Sequence, residues 1–317
     1  MISLIQLSFV SIAVLLIVAL GGLMSERSGV VNIGLEGLML MGGFVGAIVI
    51  RSLQLNTDMN HMLILVIGIL VGGIVGGIFV TAHAYASIHM NADQTISGTA
   101  LNLFAPAFAI FTARSTIGGQ QVFFDSSKFL IRKVPILGDI PIIGEILFQR
   151  TYISFYLAIA LLIIVWVLLY KTKLGLRIRA VGENPQAADA QGVNIYKVRY
   201  FSVIASGVLA GIGGVVFVTT TSQSFDATVA GMGFLAIAVL IFGNWKPWRI
   251  LLAATFFGFF RTIGSAHTLI SFLDNVNIAP EFYFMIPFLA TLIVLGLTSR
   301  RSRSPKALGQ IYDVGQR

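Results

Sequence analysis

The chain has 317 residues, 56% of them hydrophobic and only 11% charged, with a mean hydropathy of +0.90, which excludes an ordinary soluble domain and points to an integral membrane protein. A net charge of +8 would suggest nucleic acid for a soluble chain, but in a membrane protein positive charge first reports topology, and no nucleic-acid partner is expected. The absence of cysteine excludes disulfides, thiolate metal sites and a cysteine nucleophile.

Apolar segments recur along the chain at lengths that can cross a bilayer. Residues 2–24 have no cleavage-site pattern with a soluble domain behind it and read as a retained span rather than a signal peptide. The second segment, 34–50, carries Glu36 and five glycines. Residues 62–82 hold overlapping GxxxG patterns at Gly68, Gly72 and Gly76, matched later by Gly207 and Gly211. Small residues at that spacing let helix backbones approach closely, here within the bundle. Residues 98–113 contain Asn102 with Pro106 one turn on. Residues 115–150 form a long external loop with "VPILGDIPIIGEI", expected to act as a lid or an interfacial helix. Further spans are expected at 151–170, 200–221, 231–245, 250–272 and 282–298. Of these, 231–245 is only about 22 Å long as a helix, and 250–272 contains Arg261.

Between 151–170 and 200–221 lies the polar island "RAVGENPQAADAQGVNIYKVR". Asn184 is a good N-cap, Pro185 suits the first helical turn, and Gly192 can end the helix in a left-handed conformation. A short helix is predicted over 185–191, with Ala187, Ala188 and Ala190 giving a smooth surface suited to a groove in another protein. An ordinary solvated loop is the plainer alternative. Two-thirds of the 21 basic residues fall in the loop 170–199 that holds this island, at Arg27, at Lys246 and Arg249, and in the tail with Arg300, Arg301, Arg303, Lys306 and Arg317. If the spans alternate, these lie on one side, and the positive-inside rule makes that side cytoplasmic and the N-terminus external.

Short, glycine-interrupted segments occupy corresponding places in the two halves, "SERSGVVNIGLEG" before 34–50 and "SQSFDATVAGMG" before 231–245. That pattern points to a two-half internal repeat with a translocation path at its interface. The expected fold is an all-α polytopic bundle of about eight to ten transmembrane helices with broken half-helices. Residues 1–299 form a single transmembrane domain, and 300–317 a basic cytoplasmic tail.

The island motif, with Gly182, Asn184-Pro185, Ala187-Ala188, Gly192 and Ile195, resembles the cytoplasmic coupling loop of permease subunits in bacterial ABC importers for branched-chain amino acids, simple sugars and nucleosides. "SERSGVVNIGLEGLMLMGGFVGA" is similar to the nucleoside branch of that family. The resemblance runs from Ser25 to about Thr298 and weakens at "IFGNWKPWRI". It implies that Gly182, Glu183, Asn184, Pro185, Ala187, Ala188 and Gly192 form a helix that docks on a separate cytoplasmic ATPase, the subunit that would bind ATP and magnesium. The further partners it implies are a second permease, a paralogue or the chain's own copy, and an extracytoplasmic solute-binding lipoprotein, all at the bacterial cytoplasmic membrane. The chain has no GxxxxGK[ST] phosphate loop and no recognisable catalytic constellation, so no enzyme site and no bound cofactor are expected.

Polar groups within the spans are costly unless they pair or line water. Glu36 with Asn32 reads either as part of the solute path or as a structural pair at a helix break. Asn102 either faces the path or bonds a neighbouring helix, and Arg261 is expected to snorkel outward. His61, His83, His89 and His267 are scattered without metal-ligand spacing. The leading function is import of a small polar solute, with nucleosides implied by the resemblance and sugars or branched-chain amino acids as the alternative. A stand-alone secondary transporter with Glu36 as proton carrier would leave the island without a purpose. A purely structural scaffold would not need the glycine-broken segments.

Overall fold

The computed structural model describes residues 2–135, 137–141, 143–265 and 304–312, together with 282, 285, 286, 288, 289 and 292. Its helices are α1 (Ile2–Glu26), α2 (Leu35–Asn56), α3 (His61–Ile88), α4 (Gln94–Ile117), α5 (Ile143–Phe148), α6 (Ile153–Lys171), α7 (Lys173–Glu183), α8 (Pro185–Ala190), α9 (Ile195–Thr221), α10 (Met232–Phe242) and α11 (Pro247–Ser265). Four short strands, β1 (Val122–Phe123), β2 (Leu130–Lys133), β3 (Gln149–Tyr152) and β4 (Ser224–Phe225), form two antiparallel ribbons, β1 with β4 and β2 with β3. Among the described residues α1, α2, α3, α4, α6 and α9 are long and apolar enough to cross a membrane. The protein is an all-α polytopic membrane protein.

Most helices extend beyond the apolar runs because polar caps take up their free N–H groups. Asn60 accepts from Met62 N at 2.9 Å to start α3, and Asp93 accepts from Thr95 N and Ile96 N to start α4. α1 lies at the centre, packed against α6, α9, α10 and α11, with Ala13 to Leu20 fully buried. α2, α3 and α9 cross where their glycines meet. A Cβ on Gly211 would overlap the Gly72 carbonyl, and one on Gly207 the Gly76 carbonyl. The GxxxG faces are therefore packing surfaces inside the bundle, where close contact replaces the hydrophobic drive that lipid removes.

Two ends of the bundle are distinguished by their contacts. At one, the Gln6 amide donates to the carbonyls of Glu145 (2.7 Å) and Gln149 (3.1 Å), and Gln54 exchanges two 3.0 Å bonds with the Asp125 backbone. At the other, Arg27 donates to the Trp245 carbonyl, Glu26 accepts from Trp245 Nε1 at 2.5 Å, and Ala307 N donates to Gly182 O at 2.9 Å. The polar island and segment 304–312 share this second end.

Several expectations change. The stretch before Asn184 is a helix, α7, capped by Thr172 accepting from Gly175 N at 3.1 Å. The loop over 115–150 is built from the two ribbons and the six-residue α5, and β4 ties it to the chain after α9. Residues 266–272, most of the span expected at 282–298, His267, Arg300, Arg301, Arg303 and Arg317 lie outside the described residues.

Candidate functional site

The segment between α1 and α2 is irregular backbone at the depth of Ser206 on α9, inside the bundle. Such backbone is tolerated within a membrane only if every polar group finds a partner. Here they do. Val31 N donates to Gln94 Oε1 at 2.7 Å, and His83 Nε2 donates to the Val31 carbonyl at 3.0 Å, leaving Nδ1 to accept from the Ser97 hydroxyl at 2.8 Å. Asn102 accepts from Gly37 N at 2.7 Å and donates to Ile33 O at 2.9 Å. Asn32, 1% exposed, accepts from Gly34 N at 3.1 Å and donates to Ser206 at 2.9 Å.

The structure thus separates the residues that sequence spacing grouped. Asn32 lies in the turn before α2, so it and Glu36 are not successive positions on one helical face. Asn102 joins Asn32 in holding that turn. His83, Gln94 and Ser206 were not singled out as its supports. A buried histidine and glutamine next to apolar spans were the available signal.

Glu36 reaches the opposite break. Its Oε1 accepts from Gly231 N at 2.9 Å and Oε2 from Gly233 N at 2.6 Å, so both oxygens cap the N-terminus of α10. A carboxylate there meets unsatisfied N–H groups and the positive end of the helix dipole. α10 has 11 residues, about 16 Å of helix, which crosses only half a bilayer. The two irregular segments enter from opposite ends and meet at this carboxylate. Gly233 is required for the approach, since a Cβ would sit 2.5 Å from Glu36 Cα.

The backbone entering α10 is strained, with φ of +55° at Ala227 and +52° at Ala230, a region that costs an L residue about 1–2 kcal/mol. Two bonds hold Ala230: its N–H donates to Thr228 Oγ1 and its carbonyl accepts from Arg261 Nη2, both at 3.0 Å. Arg261 therefore turns inward to the break instead of snorkelling. Strain of this kind persists where surrounding structure over-determines it, typically at working parts of a protein.

At the other end, α8 covers residues 185–190, one residue short of the expected helix, with Gln191 as its cap. Asn184 Oδ1 accepts from Ala187 N at 3.0 Å, and Gly192, at φ +77°, donates to Asp189 O at 2.8 Å. Gly182, Pro185 and Ala188 are buried, whereas Glu183, Asn184, Ala187 and Gly192 are exposed. Ala188 is 5% exposed, so the face offered outward runs through Ala187 and Ala190, not Ala188. Leu176, Ala180, Ala187 and Val193 line a groove between α7 and α8, flanked by Lys173 and Arg177. Among the described residues no group of three or more His, Asp or Glu could hold a metal ion.

Comparison with known proteins places this geometry in context. The branched-chain amino acid transport system, permease component, family matches residues 4–295. The chain is 41% identical to the guanosine ABC transporter permease protein NupQ of Bacillus subtilis, covering 96% of this chain and 94% of that one. It is 39% identical to the nucleoside ABC transporter permease protein NupC of Lactococcus lactis, over 94% and 92%. A second Lactococcus lactis protein, the nucleoside ABC transporter permease NupB, is 24% identical over 96% and 83%. No solved structure matches.

Proposed function

The chain belongs to the permease component family of branched-chain amino acid transport systems, and from that premise we propose that it forms the membrane path of an ATP-driven ABC importer for nucleosides. The observation that carries the solute assignment is near full-length similarity to permeases named for guanosine and nucleosides, at 41% and 39% identity. The family description names a different solute, so the nearer relatives decide.

The working parts follow from the geometry. Two breaks meet inside the bundle at Glu36, beside Asn32 and Asn102, and an uncharged polar solute suits a route with so few charges. In this reading Glu36 holds the α10 half-helix in place, and the strained entrance at Ala227 to Ala230 is the element that changes when the route opens. Glu183, Asn184, Ala187 and Gly192 present α8 to a separate ATPase, with Gly182, Pro185 and Ala188 fixing it from beneath. ATP and magnesium bind in that partner, because the chain lacks a phosphate loop. A related permease completes the path, a reading supported by the similarity of this chain to two nucleoside permeases of one organism, Lactococcus lactis, and a lipoprotein delivers solute to the end formed by β1 to β3. The island and segment 304–312 mark the cytoplasmic end, in keeping with the basic residues gathered there.

The solute assignment is tested by uptake competition in a strain lacking the chain and complemented with it. Labelled guanosine should enter only with the chain present. Unlabelled nucleosides should compete, and glucose and leucine should not. Competition by glucose or leucine but not by nucleosides would overturn the assignment.

A further inference from the structure

Segment 304–312, "SPKALGQIY", is far from the breaks in sequence yet joins the end of α7, beside the proposed ATPase contact on α8, to the irregular turn between α1 and α2. Ala307 N donates to the carbonyl of Gly182, at the end of α7 beside the Asn184 cap of α8. Two residues later Gly309 N donates to Gly29 O at 2.9 Å, on the irregular turn that leads to Asn32 and Glu36. Ala307 is 2% exposed and Tyr312 is 7% exposed, its ring edge-on to Tyr196 at 6.0 Å.

Gly182 itself leaves no gap at this junction, since a Cβ there would overlap the Arg27 carbonyl. A third hold comes from Arg199 on α9. Its side chain is 2% exposed and its Nη2 donates to Gln310 O at 3.2 Å, while its Nε has no partner. A guanidinium taken out of water is costly unless bonded, so the Gln310 carbonyl supplies an acceptor that Arg199 needs. Three backbone groups of one short segment, Ala307 N, Gly309 N and Gln310 O, are thereby committed to α7, the turn after α1 and α9.

We propose that segment 304–312 is a clip that fastens the α7–α8 pair to the turn 27–34, so that displacement of α8 reaches Asn32 and Glu36 as movement of one body. Ala307, Gly309 and Gln310 are then positioning residues for transport. Because the hold is made by backbone groups, it is removed by withdrawing a donor rather than by trimming a side chain. Ala307→Pro removes the N–H to Gly182 at a position where proline also opposes the turn from Pro305 to Leu308.

The clip rests on the coupling role proposed above for α8, and two readouts separate the failure of either idea. Hydrogen exchange of amides 27–34 in the full chain needs neither solute nor nucleotide, and it should rise in Ala307→Pro. In the reconstituted importer, guanosine moved per ATP hydrolysed should fall several-fold, while the ATPase subunit still co-elutes and hydrolyses. A strap that merely adds stability would lower melting temperature without changing that ratio. Gly309→Ala strains a φ of +77° without removing a donor, and it should show the same pattern at smaller amplitude, including if Ala307→Pro does not assemble. Unchanged exchange in 27–34, an unchanged ratio, or loss of the ATPase from the clip variants would each overturn the proposal. Normal ATPase binding in Ala187→Arg would instead refute the role given to α8, leaving the exchange result standing.

Discussion

Removing the Glu36 carboxylate should loosen α10 before it affects any contact with solute. Both oxygens are committed, to Gly231 N at 2.9 Å and Gly233 N at 2.6 Å. Hydrogen bonds to a charged group contribute about 1.5–3 kcal/mol each, so Glu36→Leu, which deletes both and strands two N–H donors, should cost about 3–6 kcal/mol. Loss of a negative charge at a helix N-terminus adds about 0.3–1 kcal/mol. Glu36→Gln keeps one acceptor but turns an amide donor toward the second N–H, and its cost should be about half that of Glu36→Leu. The assay is thermal melting of the detergent-purified full chain, measured beside guanosine uptake per assembled complex. Melting temperature should be lowest for Glu36→Leu, intermediate for Glu36→Gln and highest for wild type, with uptake falling in parallel. Unchanged melting in Glu36→Leu with lost uptake would refute the clamp and return the carboxylate to the solute path.

Three other outcomes are expected. Ala187→Arg, on the exposed face of α8, should abolish ATPase co-elution while leaving the melting temperature near wild type, whereas Ala188→Arg should also destabilise the chain because Ala188 is buried. Gly211→Ala should cost about 1–3 kcal/mol by driving α9 away from the Gly72 carbonyl, seen as a lower melting temperature that Gly118→Ala, with nothing within 4 Å of its Cβ, would reproduce only through its left-handed φ. A topology reporter placed after Arg303 should be cytoplasmic and one at Lys128 external; cytoplasmic labelling of Lys128 would reverse the assigned ends.

The spans were legible because a bilayer demands long apolar runs, and the breaks because Gly34, Gly37 and Glu36 interrupt one such run where nothing structural in a straight helix would ask for them. The α8 helix was legible from local chemistry alone, through the Asn184 cap, Pro185 and Gly192. What sequence could not supply is partnership across distance. Nothing near Glu36 names Gly231 and Gly233, 195 and 197 residues away, as its donors. Likewise the Glu26 bond to Trp245 spans 219 residues, and it occupies the stretch "IFGNWKPWRI" where resemblance to the family weakens. The helix α7 was overlooked for a different reason. Its basic residues read as loop, although Gly175, Ile178, Val181 and Gly182 recur at helical spacing and are the residues it buries. The ribbons are two to four residues long, too short for alternation to register.

The most direct test of the central claim is the energy source of guanosine transport in vesicles holding the complete complex. Import should require ATP and persist when a protonophore collapses the proton gradient. Guanosine movement that proceeds without ATP and is abolished by the protonophore would contradict the account, and would support a secondary transporter instead.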